Sequence, residues 1–116
     1  MSATYRGALE RVSAVRGVQG SMLVSASDGL IVAEQLMEDV DGRAVAALAA
    51  SLAGRLRRTT ESAGLSAPAV IHLRAETGSL LAVPAQNDLL VVAVARADAN
   101  IGLARLELIA AAREIG

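Results

Sequence analysis

An uninterrupted run of seven apolar residues, at positions 89–95, constrains the fold of this chain more than any other feature. A strand covered on one face alternates apolar and polar residues, whereas an unbroken apolar run is typical of a strand buried on both faces. Two further apolar segments, 69–74 and 79–84, precede it and are separated by short polar turns. Such turns join antiparallel neighbours, because parallel strands need a long crossover. The sequence therefore predicts three antiparallel strands, of which the last, 88–95, is central and has helices on both faces.

Three other segments show the periodicity of amphipathic helices. The first covers residues 4–15. The second begins at Asp41, whose carboxylate can accept hydrogen bonds from free backbone N–H groups, and it ends near Gly64. The third follows Asp98 or Asn100, either of which can cap it.

The pair Asp28 and Gly29 lies between two apolar runs and predicts a β-hairpin. Such a turn needs a positive φ, which glycine adopts without steric cost. The order of elements is then helix, two strands, helix, three strands and helix, with no linker and no repeat. We expect one domain of residues 1–116, of the α+β class, built as an α/β/α sandwich.

Several residue types that catalytic sites need are missing. The chain has no cysteine and a single histidine, His72, so it cannot assemble a zinc site from the usual ligands. It has no lysine, which a phosphate-binding P-loop requires. His72 lies in a predicted strand, and no nucleophile elbow accompanies it. We expect no metal, no cofactor and no catalytic residue, and hence a protein that is not an enzyme.

The charge balance and the apolar pattern exclude further classes of partner. Eleven arginines and twelve acidic residues give a net charge of −1, which provides no basic field for nucleic acid. No apolar run approaches the ~20 residues of a membrane span, and the N-terminus lacks the apolar core of a signal peptide. We therefore expect a cytoplasmic protein. Arginine without lysine, in an alanine-rich chain, is typical of a GC-rich bacterial genome.

Charged residues cluster at the two ends of the second helix. They are Glu38, Asp39 and Asp41 before it, and Arg55, Arg57 and Arg58 towards its C-terminal end. Both groups complement the helix dipole, so a solvated helix end is one explanation of the arginines. The other is that they grip a phosphate or an acidic partner. Arg55 and Arg58 are the candidate partner-binding residues.

One face of the second helix is small in its middle and charged at both ends. Its members, spaced three or four apart, are Arg43, Ala47, Ala50, Gly54, Arg57 and Glu61. Glycine inside a helix costs about 1 kcal/mol relative to alanine, so Gly54 indicates the close approach of another backbone. Two antiparallel copies about a two-fold axis would set Arg43 against Glu61 of the second copy. The pattern predicts a dimer contact on this face, while the opposite stripe covers the sheet. That stripe contains Val45, Leu48, Leu52 and Leu56.

Two passages carry a resemblance to a known family. They read V-x-G-x-x-G-S-M-L-V-S-A-S-D-G-L-I-V-A at positions 15–33 and A-N-I-G-L-A-R-L-E-L at positions 99–108. Gly29 and Gly102, one in each passage, are expected at structural turns. Together with the element order, the passages resemble the Roadblock (dynein light chain) domain family over nearly the whole chain. Within it, the chain is similar to bacterial single-domain members of the MglB type, which partner small Ras-like GTPases.

The resemblance implies a Roadblock/profilin-like fold of five antiparallel strands in the order 2-1-5-4-3. The first and last helices would cover one face, and the long helix the other. It also implies a homodimer through the long helix and the third strand, which adds Ile71 and Leu73 to the interface. The implied function is a non-catalytic regulator or scaffold for a small Ras-like GTPase, in polarity or motility. Longer MglB-type chains carry extensions that this chain almost lacks, so GTPase binding is expected more than GTPase activation.

Two other functions fit the sequence. One is a structural adaptor that assembles larger protein complexes without a GTPase. The other is a small-ligand sensor on a profilin-like layout, which needs a pocket with converging polar groups. A neighbouring gene for a Ras-like GTPase would favour the regulator.

Overall fold

The computed structural model describes residues 3–115, and within them the chain forms five strands and three helices. They are α1 (Ala3–Ser13), β1 (Val18–Ser25), β2 (Ile31–Leu36), α2 (Gly42–Ser62), β3 (Ile71–Ala75), β4 (Gly78–Ala85), β5 (Leu89–Arg96) and α3 (Ile101–Ile115). This element order confirms the one that the sequence predicts.

The strands form one antiparallel sheet in the order β2-β1-β5-β4-β3. β5 is central, and its register sets Met22 of β1 and Ala82 of β4 on either side of Val92. Residues 90–93 of this strand are buried. The prediction of a central strand, made from its unbroken apolar run, is confirmed.

Helices α1 and α3 cover one face of the sheet. Leu9 of α1 and Leu108 of α3 are fully buried there, against Leu23 and Val91 of the sheet. Ser21 of β1 is buried on the same face, and its hydroxyl donates a hydrogen bond to the Leu9 carbonyl at 2.9 Å. This bond satisfies the hydroxyl and fixes α1 on β1.

The start of α3 depends on Asn100. Its side-chain oxygen accepts a hydrogen bond from the Leu103 N–H at 3.2 Å, as an N-cap residue does. Gly17 (φ +86°) lies beside this turn, where a Cβ atom would come within 2.5 Å of the Ala99 Cα. Gly102, expected at a structural turn, instead lies in the first turn of the helix and is exposed. The expectation for Gly102 is wrong because Asn100 already provides the cap.

Helix α2 covers the opposite face and begins and ends where its sequence signals lie. The Asp41 carboxylate accepts a hydrogen bond from the Ala44 N–H at 3.2 Å. At the other end Gly64 has a φ of +78°, and the Leu65 N–H donates to the Thr60 carbonyl at 2.8 Å. Both predicted ends of the helix are confirmed.

The contact of α2 with the sheet is made by alanines. Ala46 and Ala49 are buried, while Val45, Leu52 and Leu56 are partly buried at the margin of the same cluster. Leu48 is 46% exposed. The prediction that the leucine stripe covers the sheet is therefore wrong at Leu48, because the small alanine side chains form the line of closest approach.

Two hairpin loops meet at one end of the sheet. In the β1–β2 loop Gly29 has a φ of +73°, which confirms the predicted turn glycine. The β4–β5 loop contains Asp88, whose carboxylate accepts a hydrogen bond from the Ser27 N–H at 3.1 Å. The Asp88 carbonyl accepts a second one from the Ala26 N–H at 2.8 Å. The β1–β2 loop is thus held in place beside α2.

Candidate partner-binding surfaces of helix α2

Helix α2 presents two flanks, one on each side of its buried alanine line. Each residue advances about 100° around a helix, which separates the predicted interface residues from the leucine stripe. The small flank consists of Arg43, Ala47, Ala50, Gly54, Arg57 and Glu61. The leucine flank consists of Val45, Leu48, Leu52 and Leu56.

The small flank faces the β1–β2 loop. A Cβ atom on Gly29 would lie 3.7 Å from the Ala47 Cα and from the Ala50 Cβ. A Cβ atom on Gly54 would meet only the guanidinium end of Arg58, at 3.4 Å. The fold of the single chain therefore does not require glycine at position 54.

A groove of about 470 Å³ lies between the small flank and this loop. Ala47, Ala50 and Gly54 line it on the helix side, and residues 26–29 line it on the loop side. Its rim carries charge, because the arginine group borders it. That group is Arg55, Arg57 and Arg58.

The electrostatics of the groove are uneven. All three arginines are exposed, and within residues 3–115 the one ion pair joins two other residues, Arg11 and Glu114. On the loop side, the Leu30 N–H and then the Ser25 hydroxyl hold the pKa of the Asp28 carboxyl below its ordinary value of 3.8. The groove therefore has a cationic helix wall, to which no carboxylate of residues 3–115 is paired, and an anionic residue on the loop.

The leucine flank faces the other way, towards strand β3. Val45 and Leu48 line a depression of about 280 Å³ together with Leu73 of β3 and Leu80 of β4. Leu73 is 41% exposed, close to the value for Leu48. The α2 side of the sheet is thus left with an apolar strip beside its β3 edge.

The structure does not bring all the predicted interface residues onto one surface. Arg43 and Glu61 are exposed at the two ends of the small flank. Ile71 shares a pocket with Gly54 and Arg57, but it is already buried within the chain. Leu73 lies with the leucine flank. The helix residues and Leu73 therefore lie on opposite sides of α2.

The remaining candidate functional side chains, which are His72 and the carboxylates, do not form a common site within residues 3–115. The Nε2 atom of His72 lies 3.0 Å from the Ser79 hydroxyl, and both side chains are on the β3–β4 hairpin. Over residues 3–115, histidine and carboxylate side chains do not gather into a group that could hold a metal ion. In the same range none of the helices has the length and apolar character needed to cross a membrane.

Comparison with known protein families shows the family to which this chain belongs. The model of the Roadblock/LC7 domain matches residues 7–95. The chain belongs to the Roadblock/LC7 family. The match runs from α1 to the end of β5, so it includes both flanks of α2.

Individual proteins are similar to this chain in sequence or in fold. The chain is 39% identical over 99 residues to the uncharacterized protein MJ0714 of the archaeon Methanocaldococcus jannaschii, covering 85% of this chain and 82% of that protein. Its fold is similar to that of Myxococcus xanthus MglB, with a TM-score of 0.86 at 16% identity over 97% of this chain and 92% of the other. A structure described as MglB with tetrameric arrangement gives a TM-score of 0.84 at 22% identity, with 97% and 88% covered. These likenesses show the Roadblock fold, with the strand order and helix placement that the resemblance implied.

The sequence places the leucine flank against the sheet and so does not predict that part of it is exposed surface. Its signal was present, because α2 carries one apolar stripe of alanines and another of leucines. Only one of them can face the sheet directly. The alanine stripe does so, and Leu48 is left at the surface beside Leu73.

Proposed function

We propose that this Roadblock/LC7 chain is a non-catalytic, homodimeric regulator or scaffold that binds a small Ras-like GTPase. The observation that carries the proposal is the incomplete cover of the sheet on its α2 side. There Leu48 and Leu73 lie half-exposed beside the open edge of β3. A single helix leaves this strip to water, and a second copy of the same helix would cover it.

In the proposed dimer, the leucine flank of each protomer packs against that of the other. The β3 edges pair across the two-fold axis and join the two five-stranded sheets into one. Covering the exposed halves of Leu48 and Leu73 contributes about 1 kcal/mol for each side chain. Edge pairing also protects the open strand from unspecific association.

Sedimentation equilibrium tests this dimer. Leu48→Asp places a carboxylate in the proposed contact and should weaken the dimer by about a hundredfold or more. Leu106→Asp is the matched control, because Leu106 is exposed on α3, on the other face of the sheet. It should leave the dimer unchanged.

A second variant distinguishes the two flanks of α2. Gly54→Leu adds a large side chain to the small flank, where a Cβ atom would meet only the flexible end of Arg58 within the single chain. If the leucine flank is the contact, this variant stays dimeric and Leu48→Asp does not. The reverse pattern would show that the small flank is the contact, and a monomeric wild-type chain would contradict the homodimer altogether.

We assign the GTPase contact to the groove beside the small flank and to two of the arginines that border it. Arg55 and Arg58 border a groove of about 470 Å³, and neither forms an ion pair within residues 3–115. Arginine is well suited to interface ion pairs because its guanidinium group is planar and always charged. Acidic side chains of the partner would therefore pair with these two residues.

Co-purification with a Ras-like GTPase encoded beside this gene tests the contact, with the GTPase loaded with GDP or with a GTP analogue. We expect retention in at least one nucleotide state. Arg55→Glu with Arg58→Glu should abolish it, while Arg105→Glu, a change on α3, should not. Equal retention by both variants would remove the arginines from the contact, and no retention by the wild-type chain in either state would reject this partner.

The chain has no lysine, which a phosphate-binding P-loop requires. The pure chain should therefore neither bind nor hydrolyse GTP, which equilibrium binding of a labelled GTP analogue would check. Where the chain accelerates hydrolysis by its partner, we propose that it repositions residues of the partner. At concentrations of the chain that saturate the GTPase, Arg43→Ala, Arg57→Ala and Arg58→Ala should each keep most of the acceleration, whereas a loss of about a thousandfold in one of them would identify an arginine finger.

A structural adaptor without a GTPase is the second candidate. It is favoured by Leu103 and Leu106, which are exposed on the outer side of α3. These residues lie on the face of the sheet that the proposed dimer leaves free. An adaptor would be indicated if Leu106→Asp removed proteins that co-purify with the chain while Arg55→Glu with Arg58→Glu did not.

A further inference from the structure

Strand β2 forms the edge of the sheet opposite to β3, and within residues 3–115 no other strand pairs with its outer side. The Met37 N–H donates to the Gln19 carbonyl at 2.9 Å, so the N–H group of Met37 is directed towards β1. Along an antiparallel ladder, residues whose backbone groups face the neighbouring strand alternate with residues whose groups face away from it. By this alternation Glu34 and Leu36, opposite Met22 and Gly20, direct their N–H and C=O groups away from β1.

This edge also carries apolar surface. Among residues 3–115, eight large apolar side chains are exposed, and three of them lie in β2 or directly next to it. Every other strand has fewer. They are Leu30, Val32 and Met37. Free backbone groups next to exposed apolar side chains are the two components that recognition by strand addition requires.

The charge of the segment decides which partner fits. Residues 28–41 contain five carboxylates and no arginine. Glu34 is exposed on the strand itself, and Glu38 and Asp39 are exposed directly after it. Two β2 edges paired about a two-fold axis would bring these carboxylates together, and like charges facing each other across a strand pair are destabilising. A second copy of this chain is therefore a poor occupant, and a basic segment is a good one.

We propose that the β2 edge binds an extended, basic segment of a partner protein, which adds to the sheet as a further strand. Its backbone would bond to the outward groups of Glu34 and Leu36. Its basic side chains would pair with Glu34 and Glu38, and its apolar side chains would cover Val32 and Met37. This surface lies at the opposite end of the sheet from the proposed dimer contact, so both can be occupied at once.

A synthetic peptide of alternating arginine and valine, blocked at both ends, serves as the probe, and its glutamate and valine counterpart as the control. Binding to the full chain is measured by isothermal titration calorimetry, and amide hydrogen exchange is followed residue by residue. Glu34→Gln removes one charge and keeps the backbone N–H. Glu34→Pro removes the same charge and also the outward N–H, which an edge strand tolerates.

The basic peptide should bind, and it should slow amide exchange at Glu34 and Leu36 by about tenfold or more. Binding should be about tenfold weaker in Glu34→Pro than in Glu34→Gln. Equal binding by the two variants, equal binding of the acidic peptide, or no binding of the basic peptide would each overturn the proposal, and the carboxylates would then only guard the edge. Circular dichroism checks that Glu34→Pro is folded, and the exchange of Glu34 and Leu36 in the wild-type chain decides the question if it is not.

Discussion

The two faces of the sheet differ in how completely this chain covers them. On one face α1 and α3 enclose a cluster of sixteen buried residues, counted within residues 3–115. On the other, α2 alone encloses nine in the same range, and Leu48 and Leu73 remain half-exposed beside it. The difference is what the proposed dimer requires: the face with two helices is closed within the single chain, and the face with one helix keeps exposed apolar side chains.

The largest expected effect is a loss of stability on the face with two helices. Leu108→Ala removes a fully buried side chain between α3 and the sheet. The free energy of unfolding should fall by about 2–5 kcal/mol, because the lost contacts leave a cavity. Urea denaturation measures it, and Leu48→Ala is the matched control on the other face. The same truncation at Leu48 should cost less than about 1 kcal/mol at low protein concentration. Equal losses at both positions would mean that the faces are equally closed.

A smaller effect is expected from a methyl group at Gly17, which lies where β1 approaches the start of α3. Gly17→Ala combines a positive φ with a contact of 2.5 Å to the Ala99 backbone. Gly64→Ala, at the end of α2, has a similar φ of +78° but open space around it. The second change should cost about 1 kcal/mol, and the first at least twice as much. Thermal unfolding of both variants compares them, and an equal loss would show that the Ala99 backbone gives way.

The next prediction concerns the start of α2. Asp41→Ala removes the acceptor of the Ala44 N–H and should lower the free energy of unfolding by about 1 kcal/mol. Asp39→Ala removes the same charge from an exposed position before the cap. It should have a smaller effect in urea denaturation. A larger loss for Asp39→Ala would mean that charge, and not the cap, holds this end of the helix.

The smallest effect is the pH dependence of the loop beside the small flank. The pKa of Asp28 is lowered from 3.8, so its ionised carboxylate stabilises the folded chain above pH 3.8. This stabilisation is lost as the pH falls through the lowered pKa. A titration of the Asp28 carboxyl by NMR should give a midpoint below 3.8. Leu30→Pro removes the main hydrogen-bond donor and should move the midpoint up. An unchanged midpoint in that variant would assign the shift to the Ser25 hydroxyl.

Local chemistry made several elements predictable from the sequence. The unbroken apolar run fixed the central position of β5, since only a strand covered on both faces tolerates it. Asp41, Gly64 and Gly29 marked the ends of α2 and the first hairpin, because each of them satisfies or permits a particular backbone geometry. Such signals need no knowledge of the rest of the chain.

The orientation of α2 could not be predicted in the same way. Hydrophobicity favours leucine over alanine as the residue that meets the sheet, which is why Leu48 was expected there. Close packing favours alanine, because Ala46 and Ala49 let the helix backbone come nearer to the strands. Whether hydrophobicity or close packing prevails depends on the distance between helix and sheet, and that distance is set by the whole fold. Gly102 shows the same limit, since its role depended on whether Asn100 caps the helix.

The sheet order has a consequence for how the chain folds during synthesis. Strand β1 is made early, but its central neighbour β5 is the last of the five strands within residues 3–115. Until then β2 is the one strand beside β1 within residues 3–115, and an isolated two-stranded hairpin is at best marginally stable. Helices α1 and α2 are made before β5, but the apolar side chains of β1, including Met22 and Leu23, are covered by only part of their final neighbours until β5 has been made. The five-stranded sheet can therefore close only after β5 has been made, and we expect a chain cut short before β5 to be a substrate for chaperones and proteases.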